Sequence, residues 1–199
     1  NIFAKELRGK GISVTAVAAA APSIASVYHL SLRLQDQLVL VISQSGKSDD
    51  LIAFHRAMGA GGVGMTTVAY CAVSPGGRTD GSAMWMRPEA LSGLRRLTEA
   101  VHAEGAAISA QIGHAGPVAN ARSNKATALA PVRFFNPLSM RFARAATADD
   151  IAEGTAAHAR AVRHAIDAGF DAVEIHLGHN YLASAFLSPL INRRTDEFG

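Results

Sequence analysis

The chain has 199 residues, of which 49% are hydrophobic and 18% are charged, a composition typical of a globular domain with one sizeable core. Its net charge is only +3 and its arginines are scattered, so nucleic acid is not expected as a partner. A single cysteine, Cys71, excludes an internal disulfide and favours a reducing, cytoplasmic location. The least charged stretch, residues 11–32, is too weakly apolar to predict a membrane span.

The first fifty residues predict a strand, a helix and a second strand at residues 11–17, 22–30 and 38–42. The sequence Ser-Gln-Ser-Gly-Lys-Ser follows from residue 43, and two aspartates then open a helix. Hydroxyl groups and free backbone N–H groups at such a point form a plausible cradle for an anion. A strand-to-helix turn with Ser48 as the helix N-cap explains the same residues without any ligand.

This first segment resembles part of a SIS (sugar isomerase) domain, in which a strand ends in S-Q-S-G-x-[ST]. The resemblance implies that Ser43, Ser45 and Ser48 hold the phosphate of a phosphosugar. It covers only about the first 52 residues and leaves out that family's earlier phosphate loop and later strands. We therefore expect a SIS-like fragment at residues 1–47 that binds phosphate weakly if it binds it at all.

From about residue 48 the sequence predicts alternating helices and strands, which require parallel strands with crossover connections. The predicted elements are a helix and a strand within residues 50–73, a helix at 88–104, a strand at 106–112 and a helix from the capping box of Thr147 and Asp150 to residue 168. The glycine-rich run at residues 59–64 matches G-x-G-x-x-G but follows a helix, so it predicts a helix end rather than a dinucleotide site. The long connection at residues 113–146 is typical of a functional loop.

The apolar residues Phe170, Ala172, Val173 and Ile175 predict a short parallel strand that is covered on both faces. His176, His179 and Tyr181 follow its end, where α/β proteins gather catalytic groups. Two other interpretations remain. The histidines could be ordinary polar residues at a strand end, with Tyr181 as a core residue at the start of a helix, or the two histidines could bind zinc. The zinc interpretation is disfavoured because the histidines follow a strand end rather than one face of a helix.

The motif V-E-I-H-x-x-H-x-Y-L, followed by F-L-S-P-x-x-N-R-R-T-D-E-F-G, is similar to the flavin-dependent ene-reductases of the old yellow enzyme family. The resemblance implies a TIM barrel that holds FMN. It also implies that His176 and His179 hydrogen-bond the carbonyl oxygen of the substrate, and that Tyr181 delivers a proton to the carbon opposite the hydride. A phenol suits this role because it stays protonated at neutral pH.

The same resemblance extends over residues 48–199 and corresponds to about the second to fourth strands of the barrel. It implies that Gln111, in Q-I-G-H-A-G, contacts the flavin, and that Tyr70 stands where a small residue often lies beside it. The expected fold class is therefore α/β, a partial TIM (β/α)8 barrel preceded by the SIS-like βαβ fragment. We expect a mosaic joined near residue 48, with both chain ends cut.

The function implied by the resemblance is transfer of hydride from NAD(P)H through FMN to an activated C=C bond of a small-molecule substrate. Because much of the barrel is missing, we expect this chain alone to bind FMN poorly and to turn over little. Two alternatives stay open: a phosphosugar-binding module and a non-functional fragment. No membrane partner is expected, and the sequence leaves a homo-oligomer open.

Overall fold

The computed structural model of the protein describes residues 49–136 and 140–199. The predicted strands and helix of residues 11–42 lie outside these ranges, as do the phosphate candidates Ser43, Ser45 and Ser48. Within the described ranges, no helix combines the length and the apolar character needed to cross a membrane.

Helices and strands alternate along the described chain, as predicted, and most of their bounds lie within a few residues of the expected ones. The helices are α1 (Asp49–Ala60), α2 (Leu91–His102), α3 (Ala121–Asn124), α4 (Ala148–Asp167) and α5 (Leu182–Leu187). The strands are β1 (Met65–Ala72), β2 (Ala107–Gly113), β3 (Leu129–Ala130), β4 (Phe134–Asn136), β5 (Arg141–Ala145) and β6 (Ala172–Ile175). The glycine-rich run separates α1 from β1, so its interpretation as a helix end is confirmed.

The main sheet has the strand order β1-β2-β6, and both of its pairings are parallel. β2 is therefore the central strand, with Ser109 opposite Thr67 on one side and Ala172 on the other. Because the strands are parallel, their carboxyl ends lie at one edge of the sheet. This arrangement confirms the predicted parallel α/β pattern.

The hydrophobic core lies between the main sheet and the helices. Alternate residues of β2 belong to this core, and Ile108, Ala110 and Ile112 have no exposed surface. α2 contributes Leu94, Leu97 and Val101, and α4 contributes Ala157, Ala161 and Ala165. Successive side chains of a strand point to opposite faces, so Ser109 and Gln111 lie on the face turned away from this core.

The prediction that the strand at residues 170–175 is covered on both faces is wrong. β6 pairs only with β2 in the described sheet and forms its edge. Its residues are partly or fully exposed, and Ile175 retains 43% of its accessible surface. The apolar run is suited to burial, but Glu174 and Ile175, whose side chains point to opposite faces, both remain exposed in the described structure.

The long connection between β2 and α4 has regular structure of its own. It contains the short helix α3 and a small second sheet in which β5 pairs with β3 in parallel and with β4 antiparallel. Phe135 and Phe142 are directly opposite each other in the antiparallel pair. The connection therefore forms a small layer beside the carboxyl end of β2.

The predicted capping box at the start of α4 is confirmed. The Thr147 hydroxyl accepts a hydrogen bond from the Asp150 backbone N–H at 3.2 Å, and the Asp150 carboxylate accepts one from the Thr147 N–H at 2.7 Å. Arg144 donates two further bonds to the same carboxylate, at 2.7 and 2.9 Å. Hydrogen bonding from Arg144 is the main cause that holds the pKa of Asp150 well below its usual range.

We expect Asp150→Ala to lower the free energy of unfolding by about 1–2 kcal/mol at pH 7, because it removes both the cap and the partner of Arg144. A carboxyl with a depressed folded pKa stabilises the fold above its unfolded pKa, so this loss should shrink as the pH falls below about 4. Urea unfolding at pH 7 and pH 3 measures it. Asp149→Ala, in the same helical turn, is the control, and an equal loss in both variants would contradict the capping account.

A buried histidine joins α1 to β1. His55 is 2% exposed, and its Nδ1 lies 2.7 Å from the hydroxyl oxygen of Thr66. Burial lowers the pKa of His55 to about 4. In the unfolded chain the pKa returns to about 6.5, so between these two values the unfolded state binds a proton that the folded state excludes.

The free energy of unfolding should therefore fall as the pH drops from about 6.5 to about 4, by on the order of 3 kcal/mol from His55. His55→Gln removes the titrating ring and should reduce this slope in urea titrations across the pH range, while the buried His114 keeps its own share. Phe54→Leu, at the neighbouring residue, should lower stability and leave the slope in place. If His55→Gln keeps the full slope, the protonation of His55 is not its source.

Candidate active site

The residues that the sequence singled out lie at the carboxyl edge of the main sheet. His176 directly follows β6, and its backbone N–H donates to the Ile112 carbonyl of β2 at 2.8 Å. Tyr70 lies near the end of β1, and Gly113 ends β2. The three strand ends therefore bring together side chains that are more than forty residues apart in sequence.

Four ring side chains meet at this edge, and we call Tyr70, His176, His179 and Tyr181 the ring cluster. His176 Nε2 lies 2.7 Å from His179 Nδ1. The ring of Tyr181 stands edge-on to two others, with centroids 4.8 Å from His176 and 5.0 Å from Tyr70. Edge-on aromatic packing fixes ring orientation, so the side chains are held in place before any ligand binds.

Gly113 makes room for the ring cluster. A Cβ atom at this position would lie 3.1 Å from the Cβ of His176, with ring atoms of Tyr70 and Tyr181 at 3.6 and 3.7 Å. Even an alanine here would press on the Cβ of His176, while the two tyrosine rings would lie at ordinary contact distance. The glycine at the end of β2 thus allows three strand ends to converge.

The turn between β6 and α5 sets the position of Tyr181. His179 and Asn180 both have left-handed backbone angles, with φ values of 57° and 56°. The Tyr181 N–H then donates to the Gly178 carbonyl at 3.1 Å, and the Leu182 N–H donates to the His114 carbonyl at 2.9 Å. The turn is therefore fastened both to itself and to the end of β2.

The hydroxyl of Tyr70 holds the loop that follows β1. It donates to the Gly77 carbonyl at 2.9 Å and accepts from the Thr79 N–H at 2.9 Å. The Gly77 carbonyl also accepts from the Ala115 N–H at 2.7 Å. Tyr70 therefore forms a fixed wall of the site rather than a mobile side chain.

Burial favours the neutral forms of His176 and Tyr181. It lowers the pKa of His176, and the neighbouring His179 lowers it further. Burial also raises the pKa of the Tyr181 phenol, partly opposed by hydrogen bonding to Tyr70. The site consequently offers a neutral imidazole and a protonated phenol at neutral pH, groups that donate hydrogen bonds or a proton.

A polar row lies on the face of the sheet that is turned away from the core. The Gln111 amide donates to the Glu174 carboxylate at 2.8 Å, between residues that are paired in register. The hydroxyl oxygens of Thr67 and Ser109 lie 2.6 Å apart in the same way on β1 and β2. These groups form a line of hydrogen-bonding atoms across the three strands.

The second half of the motif folds the segment that leaves the site. Arg194 donates to the carbonyls of Pro131 and Ala146, at 2.8 and 2.7 Å, and pairs with Asp196. Asn192 donates to the carbonyls of Phe186 and Phe198, at 2.9 and 2.7 Å. These residues hold the exit segment to itself and to the residues that directly follow β3 and β5.

The structure thus brings His176, His179, Tyr181 and Tyr70 into contact. It places Gln111 on the adjacent strand, where it is hydrogen-bonded to Glu174 rather than to the rings.

Sequence reasoning missed His114, which is buried. Its ring accepts a hydrogen bond from the Gly116 N–H at 2.9 Å, and burial lowers its pKa to about 4. Its place between the glycines of Q-I-G-H-A-G was the available signal. No cluster of three or more metal-ligating side chains occurs in residues 49–136 and 140–199.

Comparison with known proteins gives relatives that are named as reductases and dehydrogenases. The 4,4'-dithiodibutanoate disulfide reductase of Rhodococcus erythropolis is 54% identical over 159 residues, which are 80% of this chain and 40% of that protein. An NADPH dehydrogenase of Bacillus subtilis is 34% identical over 183 residues, covering 84% of this chain and 52% of that protein. The chain therefore spans about half or less of the length of these relatives.

A solved structure has a similar fold. The old yellow enzyme homologue from Zymomonas mobilis superposes with a TM-score of 0.72 at 26% identity, covering 79% of this chain and 47% of that one. Morphinone reductase superposes with a TM-score of 0.70 over 79% of this chain and 47% of its own length, at 24% identity, which is a likeness of fold alone. These likenesses support an α/β fold that covers part of a barrel.

A family model described as the NADH:flavin oxidoreductase / NADH oxidase family matches residues 40–199. The match crosses the predicted junction near residue 48, and the comparisons give no support to a SIS-like fragment or to a mosaic. FMN with NAD(P)H as reductant is the cofactor pair that this family implies. Since the match takes in most of the sequence, the chain belongs to the NADH:flavin oxidoreductase / NADH oxidase family.

Proposed function

We propose that the chain forms part of an FMN-dependent oxidoreductase that passes hydride from NAD(P)H to an activated C=C bond beside a carbonyl group. β1, β2 and β6 would be the second to fourth strands of its (β/α)8 barrel. The arrangement of the ring cluster at the carboxyl edge of parallel strands is the observation that carries this proposal. Family membership and the NADPH dehydrogenase relative support it.

The two histidines would bind the carbonyl oxygen of the substrate. Their facing nitrogens are 2.7 Å apart, so each already has its hydrogen-bonding atom directed at one point. In this mutual bond one nitrogen donates and the other accepts. Binding a carbonyl oxygen through both rings therefore requires the rings to move apart and the accepting histidine to present an N–H through its other tautomer. Withdrawing electrons toward that oxygen makes the β-carbon of the double bond a better hydride acceptor.

Tyr181 would supply the proton that completes the reduction. It is 9% exposed, and burial raises the pKa of its phenol, so the proton is present at neutral pH. Its edge-on contacts with His176 and Tyr70 fix the direction in which the ring points. A positioned acid of this kind contributes about 10²–10⁴-fold to a rate.

The donor set on the polar face fits the edge of a flavin ring. The hydroxyls of Thr67 and Ser109 and the amide of Gln111 lie in a row across neighbouring strands, and planar heterocycles with alternating N–H and C=O groups pair with such rows. Gln111 would exchange its bond to Glu174 for one to the ring. FMN, when bound, supplies the hydride chemistry that these side chains lack.

A second candidate is reduction of an organic disulfide, favoured by the 54% identity to the Rhodococcus disulfide reductase. One hydride and one proton convert a disulfide into two thiols, with the S–S bond broken and each sulfur ending with one hydrogen. Tyr181 would then protonate the departing thiolate. The phosphosugar alternative is not favoured, because the comparisons give it no support.

The test supplies the chain with excess FMN and NADPH under anaerobic conditions, together with either 2-cyclohexenone or 4,4'-dithiodibutanoate. The proposal expects faster formation of cyclohexanone than in the same mixture without protein. Faster release of thiol alone would select the disulfide candidate. Rates equal to the protein-free mixture for both substrates would contradict both candidates.

We expect Tyr181→Phe to slow alkene reduction by about 10²–10⁴-fold, because it removes the proton donor and keeps the ring. Bleaching of the flavin by NADPH, followed by absorbance, should stay within a few-fold of the original rate. Tyr70→Phe removes the same atom from the neighbouring ring and is the control, with a loss of less than about tenfold. An unimpaired Tyr181→Phe variant would exclude Tyr181 as the acid.

A further inference from the structure

An open pocket of about 450 Å³ lies in the connection between β2 and α4, outside the ring cluster. Its lining residues are Ala121, Arg122, Lys125, Ala126, Thr127, Arg141 and Phe142. α3 and the turn after it form one wall, and the first residues of β5 form the other. The pocket therefore lies within the connection at residues 113–146 for which the sequence predicts a functional loop.

The charge of this pocket is entirely positive. Residues 105–148 contain no aspartate or glutamate, whereas they contain five arginines and lysines. Arg122, Lys125 and Arg141 are exposed, and none of them belongs to an ion pair in the described part of the chain. Arg144, also on β5, is by contrast neutralised by Asp150. Three uncompensated cations around one concavity attract an anion.

Both walls of the pocket are held in place. Arg133 lies 3.6 Å from the ring centre of Phe142, which also packs on Phe135 with centroids 5.2 Å apart. On the other wall, the Asn124 amide donates to the Arg78 carbonyl at 2.6 Å. Asp80, the carboxylate that contacts α3, accepts bonds from the hydroxyls of Ser82 and Ser123. The cations thus extend from a fixed frame.

One hydrophobic cluster links the region of the pocket to the ring cluster. Ala121, in its lining, packs on the hydrophobic cluster that contains Tyr181 and against which Tyr70 also packs. α3 also contacts the loop after β1, whose Gly77 carbonyl accepts the Tyr70 hydroxyl bond. The pocket and the candidate active site are therefore supported by the same cluster and the same loop.

We propose that this pocket binds the phosphate monoester of a nucleotide ligand. A phosphate monoester carries close to two negative charges at neutral pH, which matches three neighbouring cations better than the single charge of a carboxylate does. Guanidinium groups pair with phosphate oxygens through two N–H groups at once. Phe142 adds an apolar surface for the rest of the ligand.

The test measures binding to the 199-residue chain by isothermal titration calorimetry, without FMN or NADPH, so that its outcome is independent of the proposed oxidoreductase activity. The probes are adenosine 2',5'-bisphosphate, adenosine 3',5'-bisphosphate and adipate. We expect the chain to bind at least one of the two bisphosphates. Tighter binding of the 2',5' isomer indicates a phosphorylated nicotinamide dinucleotide as the source, and tighter binding of the 3',5' isomer indicates a coenzyme A thioester. Adipate should bind at least tenfold more weakly.

Arg122→Ala and Arg141→Ala should each weaken bisphosphate binding about tenfold, and raising the salt concentration should weaken it further. Arg163→Ala removes an equally exposed cation from α4 and should leave the affinity unchanged. Circular dichroism verifies that each variant is folded. The proposal is overturned if neither bisphosphate binds, if adipate binds as tightly, or if the pocket variants bind as the original chain does.

Discussion

The candidate site depends on the pairing of β2 with both of its neighbours. β2 aligns β1 on one side and β6 on the other, and the bond from the His176 N–H to the Ile112 carbonyl carries the second pairing past the end of β6. Without this pairing, Tyr70, His176 and Tyr181 would have no common location. The buried face of β2 makes the alignment rigid, since Ile108 and Ile112 are packed against the helices and have no exposed surface.

The alternation of side chains along β2 divides the chemistry between two faces. Residues on the core face are aliphatic and hold the helices, whereas Ser109 and Gln111 on the other face are polar and bond to the neighbouring strands. At the carboxyl edge, Gly113 has no side chain, which leaves space for His176 to pack close to the end of β2. Hydride chemistry by a bound flavin and proton supply by Tyr181 would thus take place on adjacent parts of one rigid sheet.

Much of this arrangement could be predicted from the sequence, because it rests on local patterns. The capping box at Thr147 and the glycine-rich helix end each act within a few residues, and the motif around His176 supplies its own turn. The exposure of β6 could not be predicted, since an apolar run shows that a strand is suited to burial and not whether other elements cover it. The pocket at Arg122 and Arg141 could not be predicted either. It depends on the pairing of β5 with β4, and residues 113–146 show no alternation of apolar and polar residues that would predict these strands.

A titration of FMN fluorescence with the purified chain tests most directly whether the polar face of the sheet holds a flavin beside the ring cluster. We expect weak but saturable quenching that Gln111→Leu diminishes and that Arg163→Ala leaves unchanged. Quenching that never saturates, or that Gln111→Leu does not alter, would contradict the assignment of the flavin to this face of the sheet.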